Sequence, residues 1–127
     1  MFRCDATKIR YMTINNVTVL GAGVLGAQIA FVSAFAGKKV VSYDINEEAL
    51  AAGKKRFDSI GEQMKQELDA ADDDSIAAAH AKLTQTSDLK EALADADLVI
   101  EAVPENLELK RKVWSEVGEY APETAIL

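Results

Sequence analysis

With 127 residues, 49% of them apolar and 28% charged, the chain fits one globular domain of ordinary size and excludes a disordered or collagen-like polypeptide. A formal charge of −7 excludes general affinity for nucleic acid or anionic lipid, so no nucleic-acid or membrane partner is expected and any anionic ligand must be held by local groups. The apolar runs fall far short of the roughly 20 residues that cross a bilayer, and the lone Cys4 can close no internal disulfide, which points to the cytoplasm; no Cys/His cluster has metal-ligand spacing, so no metal is expected.

Residues 1–15 lack a clear period and read as an N-terminal extension, with Met12 to Asn16 resembling a natural beginning. Residues 16–127 form the domain proper. Val17 to Leu20, β-branched, apolar and cut off by glycines, is a buried parallel strand. Leu25, Ile29, Val32 and Ala36 then recur at helical spacing and define the expected inner stripe of a helix that Gly37 ends. Val40 to Tyr43 is the second strand, which completes a βαβ unit of about 30 residues.

A longer helix is signalled by Leu50, Phe57, Ile60, Met64 and Leu68 on one face and stops at the acidic run Asp69 to Asp74. A short helix over 75–82 returns from it, and this hairpin elaborates a place where one crossover helix would suffice. Leu83 to Thr86 reads as a third strand, Ser87 as an N-cap, 88–94 as a short helix and 98–103 as a fourth strand. The last helix, 106–120, carries Leu107, Trp114, Val117 and Ala121 on one stripe, with Trp114 expected in the core, and 125–127 opens a fifth strand. The fold class is therefore α/β, a doubly wound parallel sheet of the Rossmann type with a helical hairpin after the second strand.

Gly21-Ala22-Gly23-Val24-Leu25-Gly26 is a G-x-G-x-x-G sequence placed directly between a strand and a helix, the context that gives this common pattern its weight. Gly21 allows the tight turn, Gly23 lets backbone approach a pyrophosphate, and Gly26 lets helix and strand pack closely. The N–H groups of Val24 and Leu25, at the positive end of the helix, can hold phosphates without a lysine, which is how an acidic domain can bind a dinucleotide. Asp44 lies 21 residues after Gly23, close to the separation of about 20 at which a carboxylate accepts from the adenine ribose hydroxyls. It would repel a 2′-phosphate, and no arginine is adjacent in sequence, so the cofactor is expected to be NAD rather than NADP. Asp44 could equally cap the helix that follows.

From about Asn16 to Leu127 the sequence resembles the N-terminal domain of the 3-hydroxyacyl-CoA dehydrogenase family, 3-hydroxybutyryl-CoA enzymes included. The resemblance rests on VTVLGAGVLGAQIA with Asp44, on TSDLKEALADADLVIEAVPENLELKRKVW, and on the hairpin between them. It implies an oxidoreductase that moves hydride between NAD and the 3-hydroxy group of an acyl-CoA. It also implies that Glu105 and Lys110 touch the nicotinamide half, with Ala102 and Val103 beside it.

Independently of the family, Lys110 falls on the stripe of Leu107, Trp114 and Val117, so it either serves a ligand or snorkels to water. Glu105 also suits the first turn of a helix, and Glu101 is a carboxylate inside an apolar strand, costly unless paired. The catalytic histidine and glutamate of the family come from a later strand, so no catalytic residue is expected in these 127 residues, which alone should be inactive. His80 reads as a solvated surface histidine. The helical C-terminal domain of the family, through which a homodimer is expected to form, lies beyond this stretch as well.

Acyl-CoA phosphates could meet Lys54, Lys55, Arg56 and Lys65 on the hairpin, yet Glu67, Asp69 and Asp72 to Asp74 stand against them. A free 3-hydroxy acid, as used by carnitine and gulonate dehydrogenases, is therefore an alternative substrate. A non-catalytic NAD-binding regulatory module is the alternative of a different class.

Overall fold

The computed structural model of the chain describes residues 14–102, 107–122 and 125–126, with residues 107–110 described by their backbone alone. Four strands, β1 (Asn16–Leu20), β2 (Lys39–Tyr43), β3 (Leu83–Thr86) and β4 (Leu98–Glu101), form a wholly parallel sheet in the order β3-β2-β1-β4. Ile126 adds a parallel bridge to Leu98, at the place expected for a fifth strand. β1 is central because both its neighbours bury it, and Val17 to Leu20 are accordingly at most 4% exposed.

Alternation along β1 sends side chains to two cores. Val17 and Val19, with Val40 of β2, face α1 (Val24–Phe35), α2 (Glu47–Glu67) and α3 (Asp73–Lys82). Leu20 and Val99 face α4 (Leu89–Leu93) and α5 (Leu107–Tyr120), where Val113 and Val117 complete the second core. On that side the buried Thr18 hydroxyl donates to the Ala92 carbonyl at 2.6 Å, tying β1 to α4. The hairpin α2–α3 is rooted in the first core, since Phe57, Ala71, Ile76 and Ala79 share one cluster with Phe31.

Three expectations about faces are corrected. In α1 the buried row is Gly26, Ala27, Ala30, Phe31 and Ala34, while Leu25 and Val32 are 63% and 53% exposed. Small residues can lie closer to a sheet than large ones, and close approach rather than bulk selects the face. Trp114 stands at the rim, 36% exposed, because the neighbouring Val113 and Val117 take the inner row of α5. Leu68 is the exposed C-cap of α2 rather than the end of its apolar face.

Helix ends are set by short side chains that satisfy free N–H groups. Asn46 caps α2 by accepting from the Ala49 N–H, and Asp72 and Ser75 form a reciprocal capping box at α3, which therefore starts two residues earlier than expected. Asp88, not Ser87, caps α4: its carboxylate accepts from the Glu91 N–H at 3.2 Å. Gly37, with φ of +100°, follows the end of α1 as expected.

His80, on α3, keeps 37% of its side chain exposed, as expected of a surface histidine, and also meets the ring of Phe31 edge-on at 5.0 Å and lies 3.9 Å from Asp58. Cys4 lies outside the described residues.

Candidate dinucleotide-binding site

β1 ends in a turn that the sequence can make only with glycine at its first position, since Gly21 has φ of +104°. α1 then begins at Gly23, its N-cap, with no side chain bonded over its first N–H groups. A Cβ at Gly23 would meet nothing within 4 Å, so that face of the turn is open, whereas a Cβ at Gly26 would collide with the Gly21 carbonyl. The turn, the end of β2 and the start of α2 line an open cleft of about 850 Å³ that extends to Glu101 and Ala102 at the end of β4. This is the crevice at the carboxyl ends of the strands where parallel α/β sheets take their ligands.

Gly21, Gly23, Val24, Leu25, Asp44 and Ala102 all line this cleft. Gly26 supports it from behind. Ala102 is held by its N–H, which donates to the Leu20 carbonyl at 2.8 Å. Val103 and Glu105 lie outside the described residues, as does the side chain of Lys110, whose backbone belongs to α5.

Asp44 does not cap α2, a role that Asn46 takes. Its Oδ2 accepts from the Ala22 N–H at 3.0 Å and its Oδ1 from the Ile45 N–H at 2.8 Å, so the carboxylate is fixed against the glycine turn by backbone donors. Two backbone N–H groups are strong partners for an anion, and each oxygen keeps acceptor capacity toward the cleft. Tyr43, just before it, also borders the cleft; burial first, then the negative charges of Glu116, Asp44 and Asp88, push its phenol above the ordinary value. It stays protonated at neutral pH.

Sequence reasoning missed Arg56 here. Its Nη1 donates to the Ala22 carbonyl at 3.0 Å, and it is the one cation lining the cleft among the described residues. The signal was Gly53: glycine inside a helix costs about 1 kcal/mol relative to alanine, and at this one a Cβ would lie 2.8 Å from the Ala22 Cβ. Glycine lets α2 press on the turn, and Arg56, one turn on, meets the same residue. The other hairpin cations are elsewhere. Lys65 is bound by Glu62 at 2.7 Å and Asp73 at 3.0 Å, which raise its pKa, while Lys54 and Lys55 are exposed.

The residues fit a dinucleotide: an open turn, free helix N–H groups and an anchored carboxylate at the second strand are the parts such a ligand requires. Among the described residues no helix is long and apolar enough to cross a membrane.

Comparison with known proteins agrees with this geometry. The profile of the family described as "3-hydroxyacyl-CoA dehydrogenase, NAD binding domain" matches residues 16–127. A probable 3-hydroxyacyl-CoA dehydrogenase of Caenorhabditis elegans is 35% identical over 96% of this chain and 41% of its own length. Mitochondrial hydroxyacyl-coenzyme A dehydrogenase of Rattus norvegicus is 34% identical over 89% of this chain and 37% of its own. Among solved structures, a diketoreductase superposes with a TM-score of 0.87 and 51% identity, covering 91% of this chain and 41% of that one. FadB2 of M. tuberculosis superposes with a TM-score of 0.86 and 33% identity, covering 91% and 40%. The chain thus spans about two-fifths of the length of these relatives. It belongs to the 3-hydroxyacyl-CoA dehydrogenase family, as an NAD-binding domain.

Proposed function

We propose that residues 16–127 bind NAD for a dehydrogenase acting on the 3-hydroxy group of a 3-hydroxyacyl-CoA. The observation that carries this reading is the turn at Gly21 to Gly26, open at Gly23 and faced by the anchored carboxylate of Asp44. The N–H groups of Val24 and Leu25 hold the pyrophosphate, Asp44 accepts from the adenine ribose hydroxyls, and Ala102, Val103, Glu105 and Lys110 border the nicotinamide half. Bound there, NAD supplies a hydride acceptor that no side chain can provide. The chain's own part is to bind and orient. The proton acceptor for the substrate hydroxyl belongs to the rest of the enzyme, as does the surface of a homodimer.

Acyl-CoA is favoured as substrate by the relatives, which include a fatty acid oxidation complex subunit and 3-hydroxyadipyl-CoA dehydrogenase. Lys55 and Arg56 border a smaller hollow of about 230 Å³ beside the glycine turn, a place for CoA phosphate. A second reading, a small free dicarbonyl or 3-hydroxy acid, is favoured by the 51% identity to the diketoreductase, whose work concerns dicarbonyl compounds, and by the pairing of Lys65 with Glu62 and Asp73. Fatty acid metabolism in the cytoplasm is the setting proposed from the sequence; the mitochondrial names of several relatives favour that organelle instead.

Calorimetric titration of the 127-residue chain with NADH, NAD and NADPH tests the cofactor reading. NADH binding in preference to NADPH is expected, and binding of neither would sink it. For the substrate, NAD reduction by the natural full-length product is compared with 3-hydroxybutyryl-CoA and with free 3-hydroxybutyrate. Turnover of the CoA ester alone is expected; turnover of the free acid alone would establish the second reading, and NAD binding without either turnover a regulatory module.

A further inference from the structure

Ala22 is gripped from both sides. Its N–H donates to the Asp44 carboxylate and its carbonyl accepts from the Arg56 guanidinium, each at 3.0 Å. An anion and a cation therefore flank one residue of the glycine turn, at the edge of the cleft where the end of β2 and the face of α2 meet. The two are differently committed. Both oxygens of Asp44 are engaged by backbone N–H groups, whereas Arg56, with five N–H donors in all, makes one bond among the described residues, to Ala22.

Resting on the dinucleotide reading above, we infer that Arg56 is a specificity-determining residue for the adenosine end of the cofactor: it is the group that holds a 2′-phosphate, and the preference for NAD is set by Asp44 against it. A dianionic phosphate beside Asp44 meets like charge, with Glu48 also lining the cleft, whereas the other polar group on Ala22 is a planar cation suited to bidentate phosphate contact. No arginine neighbours Asp44 in sequence, yet the fold brings one to the same residue through the close approach at Gly53. The preference thus turns on Asp44 against Arg56, and removing Asp44 leaves the cation on Ala22 without the anion opposite it.

The test measures the dissociation constants of NADH and NADPH for the 127-residue chain, for Arg56→Ala, for Asp44→Ser and for the double variant, with circular dichroism to confirm folding. Arg56→Ala should raise the preference for NADH about tenfold, chiefly by loss of NADPH affinity, as expected for removal of one charge-assisted contact to phosphate. Asp44→Ser should invert the preference toward NADPH, the double variant should bind both alike, and Arg56→Lys should retain part of the NADPH affinity. A role of Arg56 in shaping the turn alone would weaken both cofactors equally and leave their ratio unmoved, which would overturn the inference. Should Arg56→Ala fail to fold, the ratio measured for Arg56→Lys against Asp44→Ser decides the matter in the same way. Failure of the unaltered chain to bind NADH would instead strike the dinucleotide reading.

Discussion

Gly26 has no room for a methyl group, because the first turn of α1, to which it belongs, lies directly on the Gly21 carbonyl. Gly26→Ala must push α1 off the strand, and overpacking of this kind costs about 2 kcal/mol. Loss of NADH binding with a lowered melting temperature is expected; a variant that binds normally would show that the turn relaxes freely. Ser42 is the opposite case. Its hydroxyl is fully buried in β2 with no hydrogen-bond partner among the described residues. Ser42→Ala removes an unsatisfied polar group, so chemical denaturation should show stability unchanged or raised by up to about 1 kcal/mol. A loss beyond that range would mean the hydroxyl has a partner. At this scale the sequence was informative about residues whose role depends on near neighbours, such as the glycine turn and the spacing to Asp44. It offered Arg56 only as one of four hairpin cations for CoA phosphate and missed its bond to Ala22, which is reached only through the crossing of α2 over the turn.

Among the elements, the strands were nearly all legible, and Leu83 to Thr86 was read with the bounds it has. The helices were found but their faces were not always right. Apolar spacing along α1 supports two rows equally, and the choice between them depends on how near the sheet the helix must lie, a property of the Gly21–Gly26 contact rather than of hydrophobicity. The joints between elements were the least visible. Asp97, at the foot of β4, accepts from the N–H groups of Asn15 and Asn16, both at 3.0 Å, and from the Asn16 amide at 3.4 Å. These bonds, those to the backbone first, hold its carboxyl below the usual range. A depressed folded pKa gives stability that is full above the unfolded value, about 3.9, and is lost as pH falls through the folded one. Asp97→Asn should therefore cost about 1 kcal/mol at pH 7, the low end for a charged hydrogen bond because water screens this site. The gap from the unaltered chain should close below about pH 4. Equal stability of the two proteins at pH 7 would show that water replaces the joint without loss.

For the molecule as a whole, the alternation of strands and helices was enough to read the parallel sheet, and the order β3-β2-β1-β4 is the half-Rossmann arrangement it implies. The nicotinamide side could be read only by resemblance, since Glu105 and Lys110 have ordinary helix-surface alternatives that spacing does not resolve. A ligand that binds only the folded state stabilises it by about 2.7 kcal/mol at a hundred times its dissociation constant. Saturating NADH should accordingly raise the melting temperature of the 127-residue chain by several degrees, and NADPH by less at the same concentration. A shift equal for both would contradict the charge arrangement around Ala22.

The central position of β1 also orders events in time. One of its edges is filled by β2 from within the first βαβ unit, while the other waits for β4, with Asn16 and Asp97 separated by 81 residues of chain. Closing the longer loop costs more entropy, so the second edge is expected to pair later as the chain folds. In pulsed hydrogen exchange the Gly21 amide, bonded to Tyr43, should gain protection before the Ala102 amide, bonded to Leu20. Simultaneous protection would mean that both edges close in one step. On the expected course the glycine turn takes shape early, and for an interval the nascent domain exposes the bare flank of its innermost strand, the period in which a ribosome-bound chain is most open to wrong pairing.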